Sequence, residues 1–263
     1  MMKHCNCQLI ILLTGLLLLH SVAWAQDSLK ISKPINDTTH DFKLTQLIFP
    51  AACIGVGIAG IGSDWLQYQN HEVRDELQEN IDRRISIDDF SQYAPMAAVY
   101  GLNLCGVKGL HNFKDRTRLL AISFLTSTIL VTSLKHTIHV ERPDSSSRNS
   151  FPSGHTATAF MEAEFLYQEY KDVSPWIGVA GYTVAAGTGF FRMYNNRHWL
   201  TDVVAGAGIG ILSTKLAYWL YPKLVKKASY KQGTKSFQLI GVPYYERGQA
   251  GLAMHISCIY ANY

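Results

Sequence analysis

The sequence predicts an all-α protein, a bundle of about six core helices embedded in a membrane, with a short C-terminal β-hairpin. Three observations lead there. Apolar runs near bilayer-crossing length occupy 44–63 and 119–134. Helix-like segments fill most of the chain from 94 to 221, and strand-like alternation is confined to the residues after Pro222. A chain of 263 residues that is 48% hydrophobic can bury one good core and is short for two.

Residues 1–25 read as a signal peptide: Lys3 and His4, the apolar run "LIILLTGLLLL", and the small-x-small pattern Ala23-Trp24-Ala25 before Gln26. An uncleaved anchor is the other reading. From 64 to 90 the chain is charged, and Val73, Leu77, Ile81 and Ile85 recur every four residues, which predicts one amphipathic helix lying on the membrane surface or on the protein. Segment 94–107, interrupted by Asn103 and Gly106, is too short to span. Helices are expected at 119–134, 156–170, 176–191 and 199–221. Glu162, Glu164 and Glu169 would sit badly against lipid, and a mean hydropathy of +0.02 is low for a six-span protein, so a bundle in which nothing spans stays open. The helical domain is placed at 26–222. Residues 223–263 form a basic linker and the hairpin, whose strands "SFQLIGVPYY" and "GLAMHISCIYA" flank "ERGQ".

The net charge of +4, without a basic stripe interleaved with aromatics, does not point to nucleic acid. Cys53, Cys105 and Cys258 lack ligand-like spacing and read as buried thiols.

Chemistry concentrates in three clusters. In "KHTIHVERPD", Lys135 and Arg142 can converge on one anion if the chain between them turns; both also suit anchors at a membrane interface. In "NSFPSGHTATAF", Pro152 stops the preceding chain, Ser153 can cap a new helix, and the amides around Gly154 and His155 then face an anion. His155 beside that anion is a proton donor, or else a plain surface histidine. In "FRMYNNRHWLTD", His198 and Asp202 stand four apart at a helix start, so the carboxylate can orient the ring as a nucleophile, with Arg192 nearby; a simple surface contact has the same spacing.

Together, K-x6-RP, PSGH and R-x5-H-x3-D, in that order and with a helix between each pair, resemble the type 2 phosphatidic acid phosphatase superfamily, which includes bacterial class A acid phosphatases and vanadium haloperoxidases. The resemblance covers about residues 117–221. The family commonly carries Ser before the third-motif Arg, where this chain has Phe191, so one hydroxyl donor is absent.

The resemblance implies that His198 attacks phosphorus to form a phosphohistidine, that Asp202 orients it, and that His155 protonates the leaving group and then activates water. Lys135, Arg142, Ser153, the Gly154 amide and Arg192 would hold the phosphoryl oxygens, with no metal and no cofactor. The expected function is hydrolysis of a lipid phosphomonoester or diphosphate, such as undecaprenyl diphosphate, a phosphatidate-type lipid or a lipid A phosphate. A soluble periplasmic acid phosphatase, a vanadate-dependent haloperoxidase and a non-enzymatic envelope component are the alternatives.

Lys108, Lys114, Arg116 and Arg118 precede the helix ending at Lys135, and Lys223, Lys226 and Lys227 follow the helix beginning near His198. If those flanks stay in the cytoplasm, the catalytic ends of both helices face the periplasm of a bacterial envelope.

Overall fold

The computed structural model describes residues 43–79, 84–231, 235–246 and 249–260. The expected signal peptide lies outside them.

A 3₁₀ turn at Leu44–Leu47 leads into helix α1 (Ile48–Gly62). Ser63 ends α1 in extended backbone and caps α2 (Asp64–Gln78), its hydroxyl accepting from Leu66 N at 3.5 Å. The amphipathic helix expected to reach residue 90 stops at Gln78. Beyond it, the Asn195 side chain takes both polar groups of the Ile85 backbone, receiving from its N–H at 3.0 Å and donating to its carbonyl at 2.8 Å. Those groups are thereby committed to another segment. Among the described residues, the short α3 (Asp88–Ser91) follows, then α4 (Ala94–Leu104), which ends before the left-handed Gly106 at φ 90°.

Helix α5 (Phe113–Thr137) starts at Asn112, whose side chain accepts from Asp115 N at 3.0 Å. Then come α6 (Gly154–Tyr170), α7 (Pro175–Tyr194) and α8 (Leu200–Lys231). The expected helix end at Pro222 is not seen: α8 continues through it to Lys231. A proline deletes one backbone donor, and the neighbouring turns carry the helix past it. After α8, β1 (Lys235–Glu246) and β2 (Gln249–Tyr260) pair antiparallel.

Helix α6 is the axis of the bundle. It packs against α8, α7, α4 and α5, while α1 lies along α8. Close approach of α6 and α8 rests on small residues: a Cβ on Gly210 would stand 2.3 Å from the Ala157 carbonyl oxygen, and one on Gly206 2.6 Å from that of Ser153. The three glutamates of α6 turn inward rather than to lipid, each at most 2% exposed. Glu162 accepts from Met96 N; Glu164 receives Lys215 Nζ at 2.8 Å and the Tyr182 hydroxyl; Glu169 meets Arg116 Nε at 3.1 Å, His111 Nδ1 at 2.7 Å and the Tyr218 hydroxyl at 2.6 Å. Arg116, read from sequence as a cytoplasmic flank, is thus a buried partner of Glu169. A buried carboxylate without a cation would be far costlier than the paired arrangement.

Among the described residues, three helices are long and apolar enough to cross a membrane: Leu44–Gly62, Phe113–Thr137 and Leu200–Leu224. In the first two, only 17% of the most apolar window is buried, and α5 turns Phe124, Leu125 and Ile129 outward. Apolar faces of that extent mark a membrane protein. Two cysteines depart from expectation: Cys105 is exposed and Cys53 only half-buried. Cys105 occupies the turn that ends α4, where the chain leaves the packed bundle.

Candidate active site

The first cluster closes because the chain after α5 doubles back. Ser150 N donates to Val140 O at 2.9 Å, and Arg142 N to Ser147 O at 3.0 Å. Lys135, in the last turn of α5, then reaches the returning segment, with Nζ 2.5 Å from Asn149 O and 3.5 Å from Ser150 O. Arg142 Nε is buried without a hydrogen-bond partner.

The second cluster opens α6. Ser153 occupies the N-cap position in extended backbone, but the expected cap contact is absent. Its hydroxyl is fully buried against Thr156 Oγ1 at 2.8 Å, and its own N–H donates to Asp202 O at 3.1 Å. Thr156 supplies a nearer partner than any amide of the first turn. Gly154 remains open: a Cβ there would meet only Val131 Cγ1, 3.8 Å away.

The third cluster joins α7 to α8. Arg192 is buried at the end of α7, and the left-handed Asn196 (φ 58°) turns the chain so that His198 stands two residues before α8. His198 and Asp202 are both buried, and the carboxylate lies 3.7 Å from Nδ1, longer than a hydrogen bond. Ser150 lies beside both. Its hydroxyl donates to Asp202 Oδ2 at 2.5 Å and stands 3.4 Å from His198 Nδ1. The same carboxylate oxygen accepts from Trp199 N at 3.0 Å.

These contacts bring the three clusters to one end of the bundle. Burial pushes the His198 ring down to about 4, with Lys135 and Arg192 acting in the same direction and Asp202 opposing. The ring is therefore neutral at pH 7, with a lone pair for attack. His155 is also held below the ordinary histidine value, first by burial and then by Arg192, against the pull of Asp89 and Asp88. Both imidazoles thus feel one guanidinium, and Arg142 feels it as well. Arg192 Nε, like Arg142 Nε, is buried with no hydrogen-bond partner, so two donors around the site are unspent.

Sequence reasoning missed several residues. Asp88 Oδ2 receives Arg192 Nη1 at 2.5 Å, and its Oδ1 receives Asn195 Nδ2 at 3.0 Å. Asp89 Oδ1 receives His155 Nε2 at 3.1 Å and lies 3.7 Å from Arg192 Nη1. In sequence these two aspartates look like part of a solvated helix face, and no spacing rule ties them to residues a hundred positions on. Asn70 of α2 is a third: it donates to Thr201 Oγ1 at 2.9 Å and accepts from Thr201 N at 3.1 Å, bracing the first turn of α8. Between α2 and that turn, Asn70, Arg74, Pro143, Asn196, His198 and Trp199 help line a small open pocket. Phe191 packs edge-on against Phe190 and Tyr194 and brings no hydroxyl. Among the described residues, no three His, Cys, Asp or Glu side chains are grouped as ligands of a metal ion would be.

Comparison with known proteins agrees with the motifs. Residues 116–226 match the sequence model of the PAP2 superfamily, a stretch that ends before the two strands. A lipid A 1-phosphatase of Porphyromonas gingivalis is 43% identical over 137 residues, 51% of this chain and 30% of that protein. The bacitracin transport permease protein BcrC of Bacillus licheniformis is 36% identical over 76 residues, 29% of this chain and 36% of that protein. The chain spans about a third of the length of these curated relatives. Among solved structures, LpxE of Aquifex aeolicus is similar at 25% identity and a TM-score of 0.44, over 57% of this chain and 94% of that one. A transmembrane PAP2-type phosphatidylglycerolphosphate phosphatase of Bacillus subtilis is similar at 22% identity and 0.47, over 68% and 96%.

Proposed function

We propose, on the premise that residues 116–226 are a PAP2-superfamily core, that this protein is a membrane phosphatase that hydrolyses a lipid phosphate through a phosphohistidine. The observation that carries the reading is His198, a buried neutral imidazole under the influence of Lys135 and Arg192. Phosphoryl transfer needs little more than a positioned nucleophile and fixed charge around the equatorial oxygens.

In the first step His198 forms a P–N bond as the P–O bond to the lipid breaks, and His155 gives its proton to the departing oxygen. In the second, water attacks phosphorus, the P–N bond breaks, and the water's proton passes to His155. Inorganic phosphate leaves and both histidines return to their starting forms. Lys135, Arg142, Arg192 and the Gly154 amide hold the phosphoryl oxygens. Asp202, through Ser150, keeps the His198 ring in place.

The substrate class is a lipid phosphomonoester or diphosphate, lipid A phosphate first among the candidates because the relative that shares 43% identity bears that name. The site faces the periplasm in this reading, since Lys108, Lys114 and Arg118 lie at the end of α5 opposite Lys135, and Lys223 at the end of α8 opposite His198.

The test is phosphate release by detergent-purified protein from lipid A, a phosphatidate-type lipid and undecaprenyl diphosphate. Release from at least one, lost in His198→Ala, is expected. No release from any, with wild type equal to His198→Ala, overturns the reading.

A further inference from the structure

The two sides of the site differ in charge. Around His198 the influences are Lys135 and Arg192 against one carboxylate, Asp202. Around His155 they are Asp88 and Asp89 against the single guanidinium of Arg192. Asp88 is buried and spent, both its oxygens being engaged by Arg192 and Asn195. Asp89 is different: its side chain is 54% exposed, and it binds His155 Nε2 at 3.1 Å. Arg192, the cation beside it, is held by Asp88 at the shorter distance of 2.5 Å against 3.7 Å. A carboxylate thus stands at the mouth of the site, attached to the ring that serves the leaving group.

We propose that Asp89 selects the charge of the leaving group, favouring lipid phosphomonoesters, which depart as neutral alcohols, over diphosphates, which depart as anionic phosphates. This rests on the assignment of His155 as the group that protonates the leaving oxygen. Whichever ring nitrogen delivers the proton, the departing group lies within about an imidazole's width of Asp89. A hydroxyl-bearing leaving group finds a hydrogen-bond acceptor there. A phosphate leaving group meets a like charge in a partly desolvated setting, where Coulomb repulsion is several times stronger than in bulk water. Asp89 precedes the segment that matches the PAP2 superfamily, so this selectivity is carried by a part of the chain outside that core.

The experiment compares dodecyl phosphate with dodecyl diphosphate in detergent micelles, so that the tail is constant and only the leaving group changes. The readout is the ratio of kcat/KM for the two lipids within one preparation, which a partly unfolded variant does not alter. Wild type is expected to favour the monophosphate. Asp89→Asn is expected to raise the diphosphate-to-monophosphate ratio about tenfold, and Asp89→Glu, which keeps the charge, to preserve the wild-type preference. A ratio that moves less than about twofold in Asp89→Asn, or a wild-type preference for the diphosphate, overturns the proposal while leaving the phosphatase reading intact. Failure of the wild type to release phosphate from these and the natural lipids removes the phosphatase reading, and this inference with it.

Discussion

The Ser150 hydroxyl donates to Asp202 Oδ2 across 2.5 Å and lies beside the His198 ring, 3.4 Å from its Nδ1. Residues 48 and 52 positions apart in sequence from Ser150 are joined through one oxygen. Ser150→Ala leaves the buried carboxylate short of a donor, at a cost of about 1–3 kcal/mol, and frees the imidazole to tilt. The expected result is a fall in kcat of roughly 10- to 100-fold with KM little changed, against a loss of at least about a thousandfold in His198→Ala. Steady-state phosphate release checks both.

Arg192 and Asp88 form a buried ion pair, their side chains 9% and 1% exposed. Removing one partner strands the other charge. Asp88→Ala is expected to destabilise the protein by about 3–5 kcal/mol and to lower activity by releasing Arg192. The double variant Asp88→Ala/Arg192→Ala should be less destabilised than the two single losses added together. Thermal unfolding in detergent measures the stability terms.

The histidines set a pH profile. His198 must be neutral to attack, and burial holds its pKa at about 4, so kcat/KM should rise with pH through about 4. His155 must carry a proton, and burial with Arg192 places its pKa below the usual 6.5, so kcat/KM should fall again before neutrality. The optimum is therefore acidic, and His155→Ala should lose the alkaline limb. Stability follows the same sign. An unfolded His198 takes a proton near 6.5 and the folded one only near 4, so acidification between those values favours unfolding by up to about 3 kcal/mol. A pH series of melting temperatures, with His198→Ala showing the smaller decline, checks this.

Glu169 lies fourteen residues along α6 from His155, about 21 Å at the helical rise. Glu169→Gln weakens contacts to Arg116, His111 and Tyr218 without touching the site. A marked fall in melting temperature is expected while kcat/KM of the folded protein stays within about threefold. A large change in kcat/KM with unaltered melting would refute this separation of stability from chemistry.

The helices were legible in their starts where cap and break residues mark them: α6, α7 and α8 begin within two residues of the expected segments, whereas α5 begins six residues early. The three motifs were legible because residue type and local spacing together restrict the chemistry, as with His198 and Asp202 four residues apart. The end of the α2 region was not, because Asn195 binds the Ile85 backbone across more than a hundred residues. Arg116 was misread as a surface flank for the same reason: its partner, Glu169, lies on another helix.

By itself the sequence determined an all-α membrane protein and the stretch that matches the PAP2 superfamily, since hydropathy, helical period and motif spacing are properties of short segments. Tertiary structure alone decided which polar groups meet: Asp88 with Arg192, Asp89 with His155, Ser150 with Asp202, and Arg116 with Glu169. Such pairings depend on distances of a few ångströms between segments far apart in the chain. The close packing of α6 against α8, with Gly206 and Gly210 at the contact, brings Ser150 and Asp202 within reach, and the packing of α3 and α5 on the bundle does the same for the other pairs.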